Sequence, residues 1–264
     1  MPAFNAEATI AFAIESVLAQ DWQLWELLIV NDGSQDQTEV EVKRYKDARI
    51  YYFWQENAGV SEARNNALRR MKGEFFCFLD ADDALPRNSL SSRLEIMRSD
   101  SSVTFVDGKV EVWDHKMMNV TRVFEPSFGG NPFVSLVSLD DACFFGLTWM
   151  VRNEGISYQM KKGLSHGEDL LFFLEISKDG GFYTFSNSVV YRCRRGINSA
   201  MSNLRGLENG YRQVYRELCD IMPDTALRVT FRRKTTLIMI KSYLSKLQIW
   251  SALRVFLTLL IKKA

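Results

Sequence analysis

Through the first hundred residues the apolar positions switch between two spacings. Ile10, Ile14, Val17 and Leu18 recur at helical intervals to about residue 20. Residues 26–30 form a short apolar run that suits a strand and ends in the polar turn Asn31-Asp32-Gly33-Ser34. Residues 38–45 admit a helix, and 50–54 a second strand. Asn57-Ala58-Gly59-Val60-Ser61 reads as a turn, from which Ser61 and Glu62 open a helix through Met71. The run Phe-Phe-Cys-Phe-Leu at 75–79 is apolar throughout and suits a strand buried on both faces. Pro86 with Asn88 or Ser89 starts another helix, with Leu90, Leu94 and Met97 on one face. This alternation predicts a parallel sheet covered by helices. Right-handed crossovers would bring the polar motifs at the strand ends to one edge of it.

From Val103 the pattern changes. Residues 103–106, 109–113 and 120–124 read as short strands, joined by Asp107-Gly108 and by a polar turn near His115. Residues 127–132 are a glycine-containing loop, and 143–151 an apolar, aromatic strand or pocket wall. A loop at 163–169 precedes a helix from Asp169 to about Lys178. Residues 183–193 are strand-like, and 192–202 a basic loop. Residues 207–262 read as helical, with Pro223 the clear breaker.

Composition narrows the class without adding a site. The chain has 264 residues, 47% hydrophobic, with a net charge of +1, which is globular and makes no case for nucleic-acid binding. Cys77, Cys143, Cys193 and Cys219 form no C-x-x-C pair, which predicts reduced thiols in a cytosolic protein. Two histidines exclude a multi-histidine metal centre. Met1-Pro2 leads directly into motif-like sequence, so no signal peptide is expected. No apolar run is long enough to cross a bilayer.

Asp80, Asp82 and Asp83 follow the 75–79 run, where a strand would end. Ligands of open α/β sheets bind there. Carboxylates packed together repel one another unless a cation lies among them. A divalent-metal site is one reading; a solvated turn with Asp83 capping the next helix is the other.

Five motifs occur in order: Pro-Ala-Phe-Asn-x-Glu from Pro2, Val-Asn-Asp-Gly-Ser from Val30, Glu-Asn-x-Gly-x-Ser-x-Ala-Arg-Asn from Glu56, Leu-Asp-Ala-Asp-Asp from Leu79, and Gly-Glu-Asp from Gly167. Together they resemble the family 2 glycosyltransferases of bacterial cell-surface polysaccharide type, over about residues 2–200. The resemblance implies a GT-A fold, a Rossmann-like mixed sheet flanked by helices. It divides the chain into a glycosyltransferase domain at 1–205 (nucleotide-binding half 1–100, acceptor-binding half 101–205) and a helical C-terminal extension at 206–264.

The resemblance also assigns roles. Pro2, Phe4, Glu7, Asp32 and Asn57 would meet the nucleotide. In isolation Phe4 reads more readily as a core anchor and Asp32 as a turn aspartate, and Glu7 is alternatively a complement to a helix dipole. Arg64 would hold a carboxylate of the site or a diphosphate oxygen. Asp82 would ligate Mn²⁺ or Mg²⁺, with Asp80 nearer the ribose and the metal's waters. Asp169 would be the general base of an inverting transfer; its alternative is a cap on the following helix. Trp149 would line the acceptor site or fill the core, and Arg192, Arg194 and Arg195 would close over the diphosphate or remain solvated. The implied donor is a nucleotide-sugar, UDP-linked, and the implied acceptor a glycan or lipid-linked glycan.

Two departures from the family pattern stand out. The family's short apolar strand before Pro-x-Phe-Asn is reduced to Met1, so the first, central strand of the sheet is expected to be truncated, with a gap between 26–30 and 75–79. The basic, apolar tail carries none of the family's chemistry and suits peripheral contact with the cytoplasmic face of a membrane, or packing on the domain. Two alternatives remain: a catalytically impaired, binding-only protein, and a metal-dependent nucleotidyltransferase.

Overall fold

The structure is a computed structural model. It describes residues 1–140, 142–143, 147–155, 157–164, 166–196, 203–222 and 224–261, with side chains through 257. The N-terminal half alternates as expected: β1 (Pro2–Ala3), α1 (Ile10–Leu18), β2 (Leu27–Asp32), α2 (Thr38–Lys43), β3 (Ile50–Gln55), α3 (Val60–Leu68), β4 (Phe75–Cys77) and α4 (Ser89–Ser99). Helix α1 buries Ile10, Ile14 and Val17, the stripe that its spacing predicts. Strands β1, β2 and β3 pair in parallel.

The second sheet is mixed. It comprises β4, β5 (Val103–Trp113), β6 (Val120–Phe124), β7 (Met150–Arg152) and β8 (Phe182–Arg194). β4 pairs antiparallel with β7, and β5 runs parallel to β8 along its length. Asp107-Gly108 is not a turn; β5 passes straight through it. The Asp107 carboxylate is buried, accepting from Thr148 Oγ1 at 2.8 Å and from Tyr183 Oη at 3.3 Å. Gly108 is there because β8 comes close: a Cβ at 108 would lie 2.5 Å from Val190 Cγ1. Helix α5 (Phe133–Val137) follows the expected 127–132 loop, in a stretch given no element from the sequence. Trp149 is fully buried against Phe105, Phe173 and Tyr183, so it fills the core.

The two sheets are not bonded to each other. β1 is two residues long and meets only the end of β2, at Val30 and Asn31. Below it the Met1 amine donates to the Leu28 carbonyl at 2.8 Å. Between β2 and β4 lies an apolar slot of about 700 Å³, lined by Leu27, Leu28, Phe75, Phe76, Cys77 and others. The β4 side chains are therefore only half-buried, not covered on both faces. This gap lies where the truncated first strand was expected. Burial lowers the Met1 α-amine from 8.0 to about 5.

Helices α6 (Glu168–Ser177), α7 (Leu204–Ile221), α8 (Thr225–Ser245) and α9 (Ile249–Ile261) complete the chain. A break at 246–248, with Leu247 at φ 57°, separates α8 from α9 in addition to the one expected at Pro223, which lies outside the described residues. Leu207, Val214, Phe231, Met239 and Val255 from these helices join the same apolar core as Trp149, Phe172 and Phe173. Helices α7–α9 thus pack directly on α6 and the second sheet.

Candidate functional site

The sequence motifs meet at the carboxyl ends of the first four strands. At the β1 end, Phe4 is half-exposed, and Asn5 exchanges hydrogen bonds with the β2–α2 loop. Asn5 N–H donates to Ser34 Oγ, and Gln35 N–H donates to Asn5 Oδ1. Phe4 is thereby presented beside that loop with Pro2 behind it. The Glu7 carboxylate accepts from Gln37 N–H at 2.8 Å, beside the start of α2. That bond fixes the loop and complements the helix N-terminus.

Asp32 ends β2 and is buried. Its Oδ1 accepts from Gln55 Nε2 and Ala58 N–H, and its Oδ2 from Gly59 N–H, all within 2.9 Å. Asp32 thus holds the loop that carries Asn57 and starts α3. Gly33 allows that loop to approach: its φ is +74°, and a Cβ would lie 2.8 Å from the Asn57 backbone nitrogen.

Arg64, on the buried face of α3, joins two distant segments. Its Nη2 donates to Asp80 Oδ1 at 2.8 Å and its Nη1 to Glu168 Oε1 at 3.3 Å. Of the two roles left open for Arg64, the structure displays the first: it holds carboxylates. The guanidinium is almost fully buried, so two carboxylates are needed to offset its desolvation.

The three aspartates after β4 have separate environments. Asp83 is buried, accepting from Tyr191 Oη at 2.8 Å and from Arg194 N–H at 2.7 Å. Burial, then the charges of Asp80 and Asp82, push its carboxyl well above the ordinary range. It serves the fold by binding β8, not by capping α4, whose cap position is Asn88. The Tyr191 hydroxyl also accepts from Asp80 N–H at 3.2 Å. Arg194 donates from Nε to the Asp82 carbonyl and from Nη1 to the His115 carbonyl. Arg192 pairs with Glu111 and lies over the Trp113 ring. These two arginines are engaged by the protein. Tyr191 thus fastens the aspartate loop, and its only sequence signal is a lone polar tip at the end of an apolar strand.

Asp82 remains exposed, and among the described residues its carboxylate makes no side-chain hydrogen bond or ion pair. A hard cation takes oxygen ligands and keeps several waters and phosphate oxygens. Asp82, with Asp80 alongside, fits such an ion. No group of three or more His, Cys, Asp or Glu residues gathers as a cage among the described residues.

Asp169 opens α6 after Gly167, whose φ of 78° suits glycine. Its Oδ1 accepts from Leu170 N–H at 2.7 Å. Burial and the neighbouring Glu168 charge raise its carboxyl to about 7. Helix α7 packs over this turn: Val214 lies against Gly167, and Gly206 and Gly210 pass against His166. Gly210→Ala would drive a Cβ into the His166 carbonyl. It is expected to cost about 1–3 kcal/mol, read as a lowered Tm; an unchanged Tm would show that α7 shifts freely.

A family model described as glycosyl transferase family 2 matches residues 1–144. The chain belongs to the family 2 glycosyltransferases. Among curated relatives, this glycosyltransferase is 28% identical to the UDP-Glc:alpha-D-GlcNAc-diphosphoundecaprenol beta-1,3-glucosyltransferase WfgD of Escherichia coli, over 92% of this chain and 93% of that one. It is 39% identical to the putative teichuronic acid biosynthesis glycosyltransferase TuaG of Bacillus subtilis, over 82% and 86%. Its fold matches S. aureus TarS 1-349 in complex with UDP-GlcNAc at a TM-score of 0.70, with 19% identity over 92% of this chain and 71% of that one. The mannosyltransferase PcManGT of Pyrobaculum calidifontis, solved with GDP-Man and Mn2+, matches at 0.63, with 15% identity over 100% and 74%. The glycosyltransferase thus has the GT-A fold, as its motifs implied.

Proposed function

We propose that this glycosyltransferase moves a sugar from a UDP-sugar to a lipid-linked or free glycan, with inversion at the anomeric carbon. The observation that carries the reading is the Arg64 bridge. It ties Asp80 at the β4 end, 16 residues from Arg64, to Glu168, 104 residues from Arg64 and next to Asp169. Carboxylates for the donor and a carboxylate for the acceptor are thereby held around one buried cation.

Phe4 and Pro2 offer an apolar wall to a base, and the loop fixed by Asp32 brings Asn57 beside it. Asp80 faces the ribose side. A divalent cation held at Asp82 would supply positive charge to the leaving diphosphate. Asp169, raised to about 7, holds a proton acceptor matched to neutral pH for the attacking hydroxyl. One such carboxylate, taking the proton as the hydroxyl attacks, implies a single displacement and hence inversion. The UDP-Glc in the name of WfgD and the UDP-GlcNAc bound in the TarS complex support UDP; the GlcNAc-diphosphoundecaprenol in the name of WfgD supports a lipid-linked acceptor.

The test is thermal shift with nucleotide-sugars and Mn²⁺, followed by transfer or donor hydrolysis. UDP-sugars should raise the Tm by mass action, and Mn²⁺ should strengthen the shift. Asp82→Asn should remove the Mn²⁺ contribution and lower turnover by about 10²-fold or more. A Mn²⁺ effect that persists in Asp82→Asn would place the cation elsewhere. Stabilisation by nucleoside triphosphates, and not by nucleotide-sugars, would favour nucleotidyl transfer.

A further inference from the structure

We propose that the outer face of α9, together with the end of α8, docks on an anionic lipid bilayer. Helix α9 turns Ala252 and Val255 inward, where both are buried. Ile249, Trp250, Leu253, Phe256 and Leu257 face outward. At 3.6 residues per turn these five occupy about a third of the helix circumference, without a polar interruption. The patch continues across the turn: Leu247 is 86% exposed and Trp250 84%. On α8, Leu237, Lys241 and Leu244 form an adjoining exposed stripe.

Charge selects the occupant. Residues 225–264 contain nine lysines and arginines and no aspartate or glutamate, in a chain whose net charge is +1. Lys241 and Lys246 are exposed beside the apolar patch. Arg254 is held by Glu208, a residue of α7. An apolar face flanked by the exposed lysines 241 and 246 matches the headgroup boundary of an anionic leaflet. A second copy of this chain would bring the same positive surface against itself, which is unfavourable. Tryptophan, with an apolar ring and one N–H donor, suits the boundary between hydrocarbon and water. Among the described residues no helix is long and apolar enough to cross a membrane, so the contact lies in the surface plane.

The proposal is tested without donor or acceptor, so it stands or falls apart from the sugar-transfer reading. The full chain is sedimented with vesicles of phosphatidylcholine alone, and with vesicles of roughly three parts phosphatidylcholine to one part phosphatidylglycerol. Binding to the anionic vesicles should be at least about tenfold tighter, and should weaken in high salt. The double variant Trp250→Glu, Leu253→Glu should lose about tenfold or more of that binding with little change in Tm, because both side chains are exposed. Failure to bind anionic vesicles overturns the proposal, as does equal binding by the double variant. So does concentration-dependent self-association that the double variant abolishes, which would make this face a contact between copies.

Discussion

Asp169→Asn is expected to lower the rate of sugar transfer by about 10²–10⁴-fold while leaving UDP-sugar affinity within a few-fold. The side chain keeps its shape and can still accept from Leu170 N–H, so the start of α6 should persist. What it loses is the capacity to take a proton. The same group sets the pH dependence. Burial and the Glu168 charge raise the Asp169 carboxyl to about 7. A base works only when unprotonated, so kcat should fall as pH drops through about 7 and level off above it. The residual rate of Asp169→Asn should lack that step. Glu168→Gln removes the negative neighbour, and the midpoint should move to lower pH. An Asn variant with the parent's rate and profile would remove Asp169 from the chemistry.

The second large effect concerns the slot. Fusing about six apolar, β-forming residues ahead of Met1 is expected to raise Tm by about 5–10 °C. The slot offers two strand edges, β2 at Leu27–Ile29 and β4, with no ladder partner between them. It also holds the Trp25 indole N–H, which is buried without a hydrogen-bond partner. An added strand would supply carbonyls to such donors and cover Phe75, Phe76 and Leu28. Each apolar side chain buried contributes about 1.5–3 kcal/mol, offset by about 1–2 kcal/mol per residue ordered. A net gain of about 2–4 kcal/mol converts to the Tm shift given.

Met1 adds to this through its charge. Its amine titrates near 5 when folded and near 8 when unfolded. Between those values the unfolded chain holds the extra proton, so stability rises with pH across that window. The fusion replaces the amine by a peptide N–H and should flatten that dependence. An unchanged Tm, with the fused chain still folded, would sink the idea that a strand fits here. A rise in turnover alongside Tm would show that the open slot, and not the chemistry, limits the enzyme.

The alternation of helix and strand to residue 100 was legible because it depends on short-range spacing. Apolar stripes predict α1 and α4, the start signal at Ser61 and Glu62 predicts α3, and polar turns mark strand ends. Asp107-Gly108 misled because a turn signal and a close-packing signal use the same residues. Only the approach of β8, 80 residues later, distinguishes them. Trp149 and the arginines at 192 and 194 show the same limit. Residue type permits a ligand contact, but the neighbours decide: Phe173 and Tyr183 for the tryptophan, Glu111 and the Asp82 carbonyl for the arginines.

The three carboxylates after β4 draw the line most clearly. Their cluster at a strand end was determined by the sequence alone. Which of them does what was decided in three dimensions. Tyr191 and the Arg194 amide bury Asp83, Arg64 holds Asp80, and Asp82 is left open to solvent. Local sequence sets the charge; the partners that bind it come from 16 to 111 residues away. Only the folded chain brings them into hydrogen-bonding range.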